Sequence, residues 1–142
     1  MNRILITGTN SFVGTNFRRF SKYKDIDEIS LLENKPENIN FTGYDIVLHL
    51  AAIVHQSKKI SDEMYFSINR DLCLKVAEQA KKGKVRHFIF LSTVKVYGDF
   101  DSATKIWNED SICIPDDSYG KSKLEAEIGL RKLEDSDFTV SV

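Results

Sequence analysis

Little in this sequence points to a cross-linked fold or to a membrane protein. The 142 residues include only two cysteines, two prolines and one tryptophan. Cys73 and Cys113 are far apart and lack metal-ligand spacing, so we expect two free thiols and assign them no role. The apolar run before Thr7 is too short for a signal-peptide core, and no later run is long enough to span a membrane. We therefore expect a cytoplasmic protein with no membrane partner.

An excess of either charge is also lacking. Twenty basic and twenty-one acidic residues give a net charge of -1, and no long run of one sign provides a stripe for a polyanion. Nucleic acid is therefore not an expected partner. The three histidines, His49, His55 and His87, have no metal-ligand spacing, so no metal site is expected. A content of 42% hydrophobic and 29% charged residues is that of a globular chain, and we expect one domain over residues 1–142.

The chain does contain a regular alternation of short apolar runs and amphipathic stretches. The runs at residues 3–7, 28–33, 45–52, 85–92 and 138–142 are typical of buried parallel strands, and residues 39–41 form a further, very short candidate strand. Helices are predicted over residues 12–23, 61–82 and 119–133. Residues 97–118 form a long irregular connection, which at this length usually carries function. The order predicts an α/β fold with a doubly wound parallel sheet.

A glycine turn, TGTNSFVG at residues 7–14, joins the first strand to the first helix. Gly8 allows a tight turn and Gly14 allows close packing of the helix. Between them, backbone N–H groups at the helix N-terminus can bind a pyrophosphate. The pattern favours dinucleotide binding over a plain turn, through Gly8, Asn10, Ser11, Phe12, Val13 and Gly14. A glycine would be usual at position 11, and Ser11 makes the backbone approach less certain while offering a hydroxyl to the phosphate.

Glu33 lies 25 residues after Gly8, at the predicted end of the second strand. A carboxylate there can accept hydrogen bonds from both ribose hydroxyls and repels a 2′-phosphate, which favours NAD over NADP. The alternative is one more surface glutamate, and the neighbouring Asn34 or Lys35 could alter the preference.

Tyr119 and Lys123 stand four residues apart in YGKSK, which on a helix places them on one face. An ammonium about 4 Å from a phenol lowers its pKa by roughly three units at an effective dielectric of ~20. The tyrosine could then act as a general acid or base near neutral pH. An exposed helical pair has the same five residues, so the pair does not decide the question by itself.

Five motifs together resemble a known family. They are TGTNSFVG at 7–14, HLAA at 49–52, Asn69, LSTVKVYG at 91–98 and YGKSK at 119–123. In this order they resemble the extended short-chain dehydrogenase/reductases, specifically the nucleotide-sugar epimerase/dehydratase branch, from residue 3 to residue 142. The resemblance implies a Rossmann-like domain that binds NAD and a nucleotide-sugar substrate.

The resemblance also implies roles for individual residues. Tyr119 would be the catalytic acid or base, Lys123 would lower its pKa and contact the nicotinamide ribose, and the Thr93 hydroxyl would bind the reacting sugar oxygen. The remaining cofactor contacts would come from Leu50, Ala51, Ala52, Asn69 and Leu91. For Asn69 a solvated helix position is the alternative, and for the two alanines simple packing. His55 lies near the expected cofactor pocket, although a loop histidine is more often just solvated.

The expected chemistry is hydride transfer between the sugar 4-position and the nicotinamide, with Tyr119 moving the proton. In the 4,6-dehydratases of this family an acidic pair follows the catalytic Ser/Thr, whereas Val94 and Lys95 stand here, so dehydration is disfavoured. We expect a 4-epimerase. The alternatives are a 4-keto-sugar nucleotide reductase of surface-polysaccharide biosynthesis and a non-catalytic dinucleotide-binding fragment.

Members of the family continue for roughly another chain length beyond residue 142, and that part supplies the substrate-binding domain. We therefore expect a C-terminally truncated chain whose substrate domain is missing. The resemblance also implies a homodimer through the helices at 61–82 and 119–133.

Overall fold

One parallel sheet organises the part of the chain that the structure describes. The computed structural model describes residues 2–54, 60–98 and 106–142. Its strands are β1 (Ile4–Thr7), β2 (Ile26–Ile29), β3 (Ile46–His49), β4 (His87–Phe90) and β5 (Thr139–Ser141). They lie in the order β2-β1-β3-β4-β5, and each neighbouring pair is parallel. The predicted Rossmann-like α/β fold is confirmed.

The strand order reverses between β1 and β3. From β1 the chain passes through α1 (Phe12–Phe20) to β2 at one edge, and it then returns past β1 to form β3 on the other side. In open α/β sheets, ligands bind outside the carboxyl ends of the strands at such a reversal. The topology therefore predicts a ligand site beside the residues that follow β1 and β3.

The other helices follow β3. α2 (Asp62–Tyr65) continues through a π-helical segment, Phe66–Leu72, into α3 (Cys73–Lys82), and α4 (Ser118–Arg131) precedes β5. Their apolar side chains and one face of the sheet form the main core, which includes Leu5, Val47, Cys73, Val76, Ala77, Phe88, Phe90, Ala126 and Leu130.

The helix α1 packs on the opposite face of the sheet. Successive side chains of a strand point to opposite faces, so Ile6 points away from the core that contains Leu5. A Cβ on Gly14 of α1 would lie 3.6 Å from Cγ2 of Ile6, which places α1 on that side. Helices thus cover both faces of the sheet, as in a doubly wound fold.

The bounds of several predicted elements were wrong. The second strand covers 26–29 rather than 28–33, because the chain turns at Ser30, whose carbonyl accepts the N–H of Asn34 at 3.2 Å. Residues 39–41 form no strand, and the short 3₁₀ helix Pro36–Asn38 precedes them. α1 ends at Phe20 instead of residue 23, because the backbone at Ser21 is extended.

The long predicted helix over 61–82 is helical throughout 62–82, but its middle is π-helical. Apolar spacing does not distinguish an α-turn from a π-turn, so this change could not be predicted from the sequence. The predicted helix over 119–133 begins one residue earlier and ends at Arg131. The predicted strands at 45–52 and 85–92 end at His49 and Phe90, and the residues beyond them line the site edge.

Candidate active site

The turn after β1 packs directly against the chain after β3. Gly8 has a φ of +112°, and a Cβ there would lie 2.8 Å from the backbone nitrogen of Ala51. The carbonyl of Thr7 accepts hydrogen bonds from the N–H groups of Leu50 and Ala51, each at 2.9 Å. Three of the predicted cofactor residues, Gly8, Leu50 and Ala51, therefore meet at the strand reversal. No side chain fits at position 8.

The N-terminus of α1 forms the rest of this turn. Asn10 has a φ of +57°, and the Ser11 Oγ caps the helix by accepting the N–H of Gly14 at 2.9 Å. A Cβ on Gly14 would lie 2.8 Å from that Oγ and 3.3 Å from Cδ1 of Leu50. The Ser11 hydroxyl proton is still available to donate, so the residue fits the predicted phosphate contact while also capping the helix.

The side chains of Phe12 and Val13 are exposed, Phe12 by 84%. Their contribution to a bound phosphate would come from their backbone N–H groups, since the first N–H groups of a helix lack intrahelical partners. The first turn of α1 contains no acidic residue. A bare, uncharged cradle with a helix N-terminus fits a pyrophosphate.

Glu33 lies at the same end of the sheet but not at a strand end. It stands four residues beyond Ile29, the last residue of β2, and its side chain is exposed. The segment is closed by Asn34, whose Nδ2 donates to the carbonyl of Ser30 at 2.9 Å. The predicted position at the end of the strand was wrong, and the carboxylate instead lies on an exposed turn.

Lys123 is buried under this edge of the sheet, with only 3% of its surface exposed. Its Nζ donates to the carbonyl oxygen of Leu91 at 2.5 Å and lies 3.9 Å from the ring centroid of Phe90. Burial lowers its pKa from 10.5 to about 8, and the electrostatic interactions with Cys73 and then Glu127 act in the opposite direction. Leu91 and Lys123, two of the predicted cofactor residues, thus lie together at the carboxyl end of β4.

Thr93 and Tyr119 lie on two elements that touch. The Thr93 Oγ1 accepts the N–H of Lys95 at 3.3 Å and caps the 3₁₀ helix Val94–Tyr97. A Cβ on Gly120 would lie 2.7 Å from the carbonyl oxygen of Lys95, so the first turn of α4, which carries Tyr119, packs against this short helix. Tyr119 is half-buried, and its ring centroid is 6.1 Å from that of Tyr65. Thr93, Tyr119 and Lys123 therefore occupy one edge of the sheet.

Asn69 is buried, and its side chain forms a clamp on the backbone of Ile53. The alternative prediction, a solvated position on the helix, was wrong. Asn69 is 1% exposed. Its Oδ1 accepts the N–H of Ile53 at 2.8 Å, and its Nδ2 donates to the Ile53 carbonyl at 3.0 Å and to the Ser122 Oγ at 3.2 Å. The π-helical segment carries this side chain, and π-bulges occur frequently at functional sites. Asn69 joins the chain after β3 to the residue next to Lys123.

His49 was assigned no role from the sequence. In the structure it is fully buried at the end of β3. Its Nδ1 lies 2.7 Å from Oγ1 of Thr7, its register partner on β1. Burial first, and then the charge of Lys123, lower its pKa to about 3, so the imidazole is neutral. Its Nε2 has no hydrogen-bond partner among the described residues. The signal in the sequence was its place in a strand predicted to end beside the glycine turn.

Tyr97, at the end of the short helix that Thr93 caps, stacks on the ring of Trp107 with centroids 5.5 Å apart. His55 and the middle of the long connection, residues 99–105, lie outside the described residues. Within the described ranges, no helix is long and apolar enough to cross a bilayer. No three His, Cys, Asp or Glu side chains in those ranges come together as a metal site.

The fold and this edge define a Rossmann-like α/β protein with a buried lysine on the helix that also carries Tyr119. The chain belongs to the NAD dependent epimerase/dehydratase family, whose sequence model matches residues 4–142. The resemblance stated from the motifs is confirmed, and NAD is the cofactor of this family.

The relatives of the chain include both an epimerase and a dehydratase. The chain is 30% identical to a UDP-glucose 4-epimerase of Vibrio cholerae, over 87% of this chain and 44% of the relative. It is 34% identical to a dTDP-D-glucose 4,6-dehydratase of Dictyostelium discoideum, over 89% of this chain and 39% of the relative.

A solved structure of MoeE5 in complex with UDP-glucose and NAD shares the fold, with a TM-score of 0.76 at 22% identity. The match covers 99% of this chain and 52% of that chain. The chain thus spans less than half the length of the two curated relatives and about half of this structure.

Proposed function

We propose that the chain binds NAD across the carboxyl ends of β1 and β3 and carries the proton-transfer residues of a nucleotide-sugar 4-epimerase. The observation that carries this proposal is the buried ammonium of Lys123, which lies at the same sheet edge as the glycine turn, Thr93 and Tyr119. A lysine buried to this extent costs stability, so its position is best explained by a role in the site.

The proposed cofactor contacts use the groups at this edge of the sheet. The pyrophosphate would take the backbone N–H groups between Gly8 and Gly14, and the exposed Glu33 would accept the hydroxyls of the adenosine ribose. That carboxylate repels a 2′-phosphate, which favours NAD over NADP. The nicotinamide half would lie beyond these residues, along Leu50, Ala51, Ala52, Asn69, Leu91, Tyr119 and Lys123.

The chain's own residues would handle the proton. When bound, the nicotinamide of NAD accepts a hydride from the sugar carbon and can return it. Tyr119, as a phenolate, takes the proton of the 4-hydroxyl while Thr93 donates a hydrogen bond to the same oxygen and orients it. The Lys123 ammonium stabilises the phenolate. One of its three N–H donors is used by Leu91, and two remain for the ribose and for Tyr119.

Dehydration is not supported by the residues after Thr93. Val94 is exposed and has no proton to transfer, and the Lys95 Nζ lies 3.3 Å from Oδ2 of Asp117, the cap of α4. A 4-keto-sugar nucleotide reductase, as in surface-polysaccharide biosynthesis, would use the same three residues in the opposite direction and is the second candidate. A dinucleotide-binding chain without turnover is the third candidate.

Assembly and location belong to the same proposal. The helical faces at 62–82 and 118–131 carry the partly exposed apolar side chains of Met64 and Ile128, which supports a homodimer through these helices. A cytoplasmic location fits a nucleotide-sugar substrate.

Turnover of sugar nucleotides tests the proposal. The full chain is incubated with NAD and a panel of UDP- and dTDP-sugars, and products are separated by chromatography. We expect 4-epimerisation of one sugar and its loss in Tyr119→Phe, with Tyr44→Phe as the control tyrosine. Reduction of a 4-keto sugar would favour the reductase. Epimerisation that persists in Tyr119→Phe would contradict the mechanism.

A further inference from the structure

Two successive residues after β4 form hydrogen bonds with one face of α4. The carbonyl of Leu91 accepts the hydrogen bond of Lys123 at 2.5 Å, and the hydroxyl of Ser92 donates to Oε1 of Glu127. Glu127 follows Lys123 by one helical turn, so both hydrogen bonds involve the same face of the helix. The next residue along the chain is Thr93. The position of Thr93 therefore depends on α4, and Glu127 holds its immediate neighbour.

Charged and titratable groups of several elements surround the Lys123 ammonium. His49 of β3 is neutral because burial lowers its pKa to about 3. Cys73 of α3 is a neutral thiol because burial raises its pKa to about 12. On α4 itself, Tyr119 precedes Lys123 and Glu127 follows it. Burial lowers the pKa of Lys123, and Cys73 and then Glu127 act against this shift. Of these two groups, Glu127 is the carboxylate.

We propose that Glu127 is a positioning residue of the site: it holds the Ser92 hydroxyl, and with it the segment that carries Thr93, and it is the counter-charge of the buried Lys123 ammonium. The inference rests on the proposed function for the meaning of Thr93 and Lys123, whereas its contacts do not depend on turnover. The competing explanation is a purely structural tie between α4 and the segment after β4. A structural tie requires the hydrogen bond but not the charge.

The charge is tested by titrating Lys123 itself. The side-chain ¹³Cε signal of Lys123 is followed by NMR in the full chain without ligands, and it is assigned by its loss in Lys123→Met. Glu127→Gln keeps an acceptor for Ser92 but removes the charge, and we expect it to lower the pKa of Lys123 by about one unit. The matched control is Glu125→Gln on the same helix, which breaks the exposed ion pair with Arg70. An unchanged pKa of Lys123 in Glu127→Gln would overturn the counter-charge role.

The hydrogen bond is tested separately with Ser92→Ala, which keeps the charge. This variant should not lower the pKa of Lys123, but it should shift the backbone amide signals of residues 92–95. Those signals should stay in place in Glu127→Gln. If they also stay in place in Ser92→Ala, Glu127 does not hold the segment and the positioning role is rejected.

A calorimetric titration of the wild-type chain with NAD distinguishes this inference from the proposed function. Absence of NAD binding together with the expected response of Lys123 would reject the function and keep the role of Glu127. NAD binding together with an unresponsive Lys123 would do the opposite. Where turnover is found, the alkaline limb of the pH profile should move to lower pH in Glu127→Gln by the same amount as the pKa of Lys123.

Discussion

The buried ammonium of Lys123 donates a hydrogen bond to the carbonyl oxygen of Leu91 at 2.5 Å. Lys123 lies on α4, and Leu91 follows β4 directly. The bond joins the helix that carries Tyr119 to the strand end that leads to Thr93. It therefore links the residues to which the proposed chemistry is assigned.

Replacing Lys123 by methionine should stabilise the fold near neutral pH. Burial lowers the pKa of Lys123 from 10.5 to about 8, so folding disfavours its ammonium form, and a difference of this size corresponds to about 3 kcal/mol. Loss of the Leu91 contact offsets part of this gain. We expect Lys123→Met to raise the free energy of unfolding by about 1–2 kcal/mol at about pH 7, measured by urea denaturation against Lys121→Met, an exposed position on the same helix.

The same pKa shift predicts how this gain depends on pH. Between the folded pKa of about 8 and the ordinary lysine pKa of 10.5, the unfolded chain keeps a proton that the folded chain has lost. The contribution of Lys123 to the free energy of unfolding of the wild-type protein therefore rises with pH between these two values. The advantage of Lys123→Met should shrink as the pH increases from about 8 to about 10. A constant advantage over that range would show that the ammonium is not the source of the effect.

Gly8→Ala should destabilise the protein more than a positive φ alone explains. The φ of +112° disfavours any side chain, and the added Cβ would also lie 2.8 Å from the backbone nitrogen of Ala51. Gly43 is the matched control, because its φ is +85° but its nearest contact is the flexible end of Arg3 at 3.8 Å. We expect a loss of about 1 kcal/mol for Gly43→Ala and about 2–4 kcal/mol for Gly8→Ala. Equal losses in urea denaturation would contradict the close packing of β1 and β3 ends.

Asn69→Ala should cost stability because it leaves both backbone groups of Ile53 without their side-chain partner. Loss of these bonds and of the contact with Ser122 corresponds to about 2–3 kcal/mol. Asn38→Ala, at an exposed position of the short 3₁₀ helix, should change the free energy of unfolding by less than about 0.5 kcal/mol. A similar small effect at Asn69 would mean that the clamp contributes nothing to the fold.

Glu33→Gln should weaken the preference for NAD over NADP. Removing the negative charge removes the repulsion of a 2′-phosphate, while the amide still offers an acceptor to a ribose hydroxyl. We expect the ratio of the two dissociation constants to fall by roughly tenfold, which corresponds to about 1.4 kcal/mol. Glu37→Gln, on the following short helix, is the control. An unchanged ratio in Glu33→Gln would remove Glu33 from the cofactor site.

Much of the fold could be predicted because local sequence and tertiary structure agree. The apolar runs around Ile4 and Val47 can only be buried strands at their length, and Gly8 between strand and helix predicts the turn that is observed. Element ends were less predictable. The second strand ends early because of the turn closed by Asn34, and that turn depends on a side-chain contact that apolar spacing does not record.

The site was predictable in its residue types but not in its contacts. The four-residue spacing of Tyr119 and Lys123 gave their common helix face, whereas the burial of Lys123 against Leu91 and Phe90 follows from packing between distant segments. The sequence has the same four-residue spacing from Lys123 to Glu127, but the spacing alone predicted no role for Glu127. The partner of Glu127 is Ser92, 35 residues away, and no pattern in one sequence joins them.

Binding of NAD by this chain is the central claim, and isothermal titration calorimetry of the wild-type protein with NAD and then with NADP tests it most directly. The account predicts one NAD per chain, weaker binding of NADP, and loss of NAD binding in Gly14→Val, whose side chain would fill the space between Ser11 and Leu50. Absence of heat with NAD from a folded wild-type protein, or full NAD binding by a folded Gly14→Val variant, would contradict it.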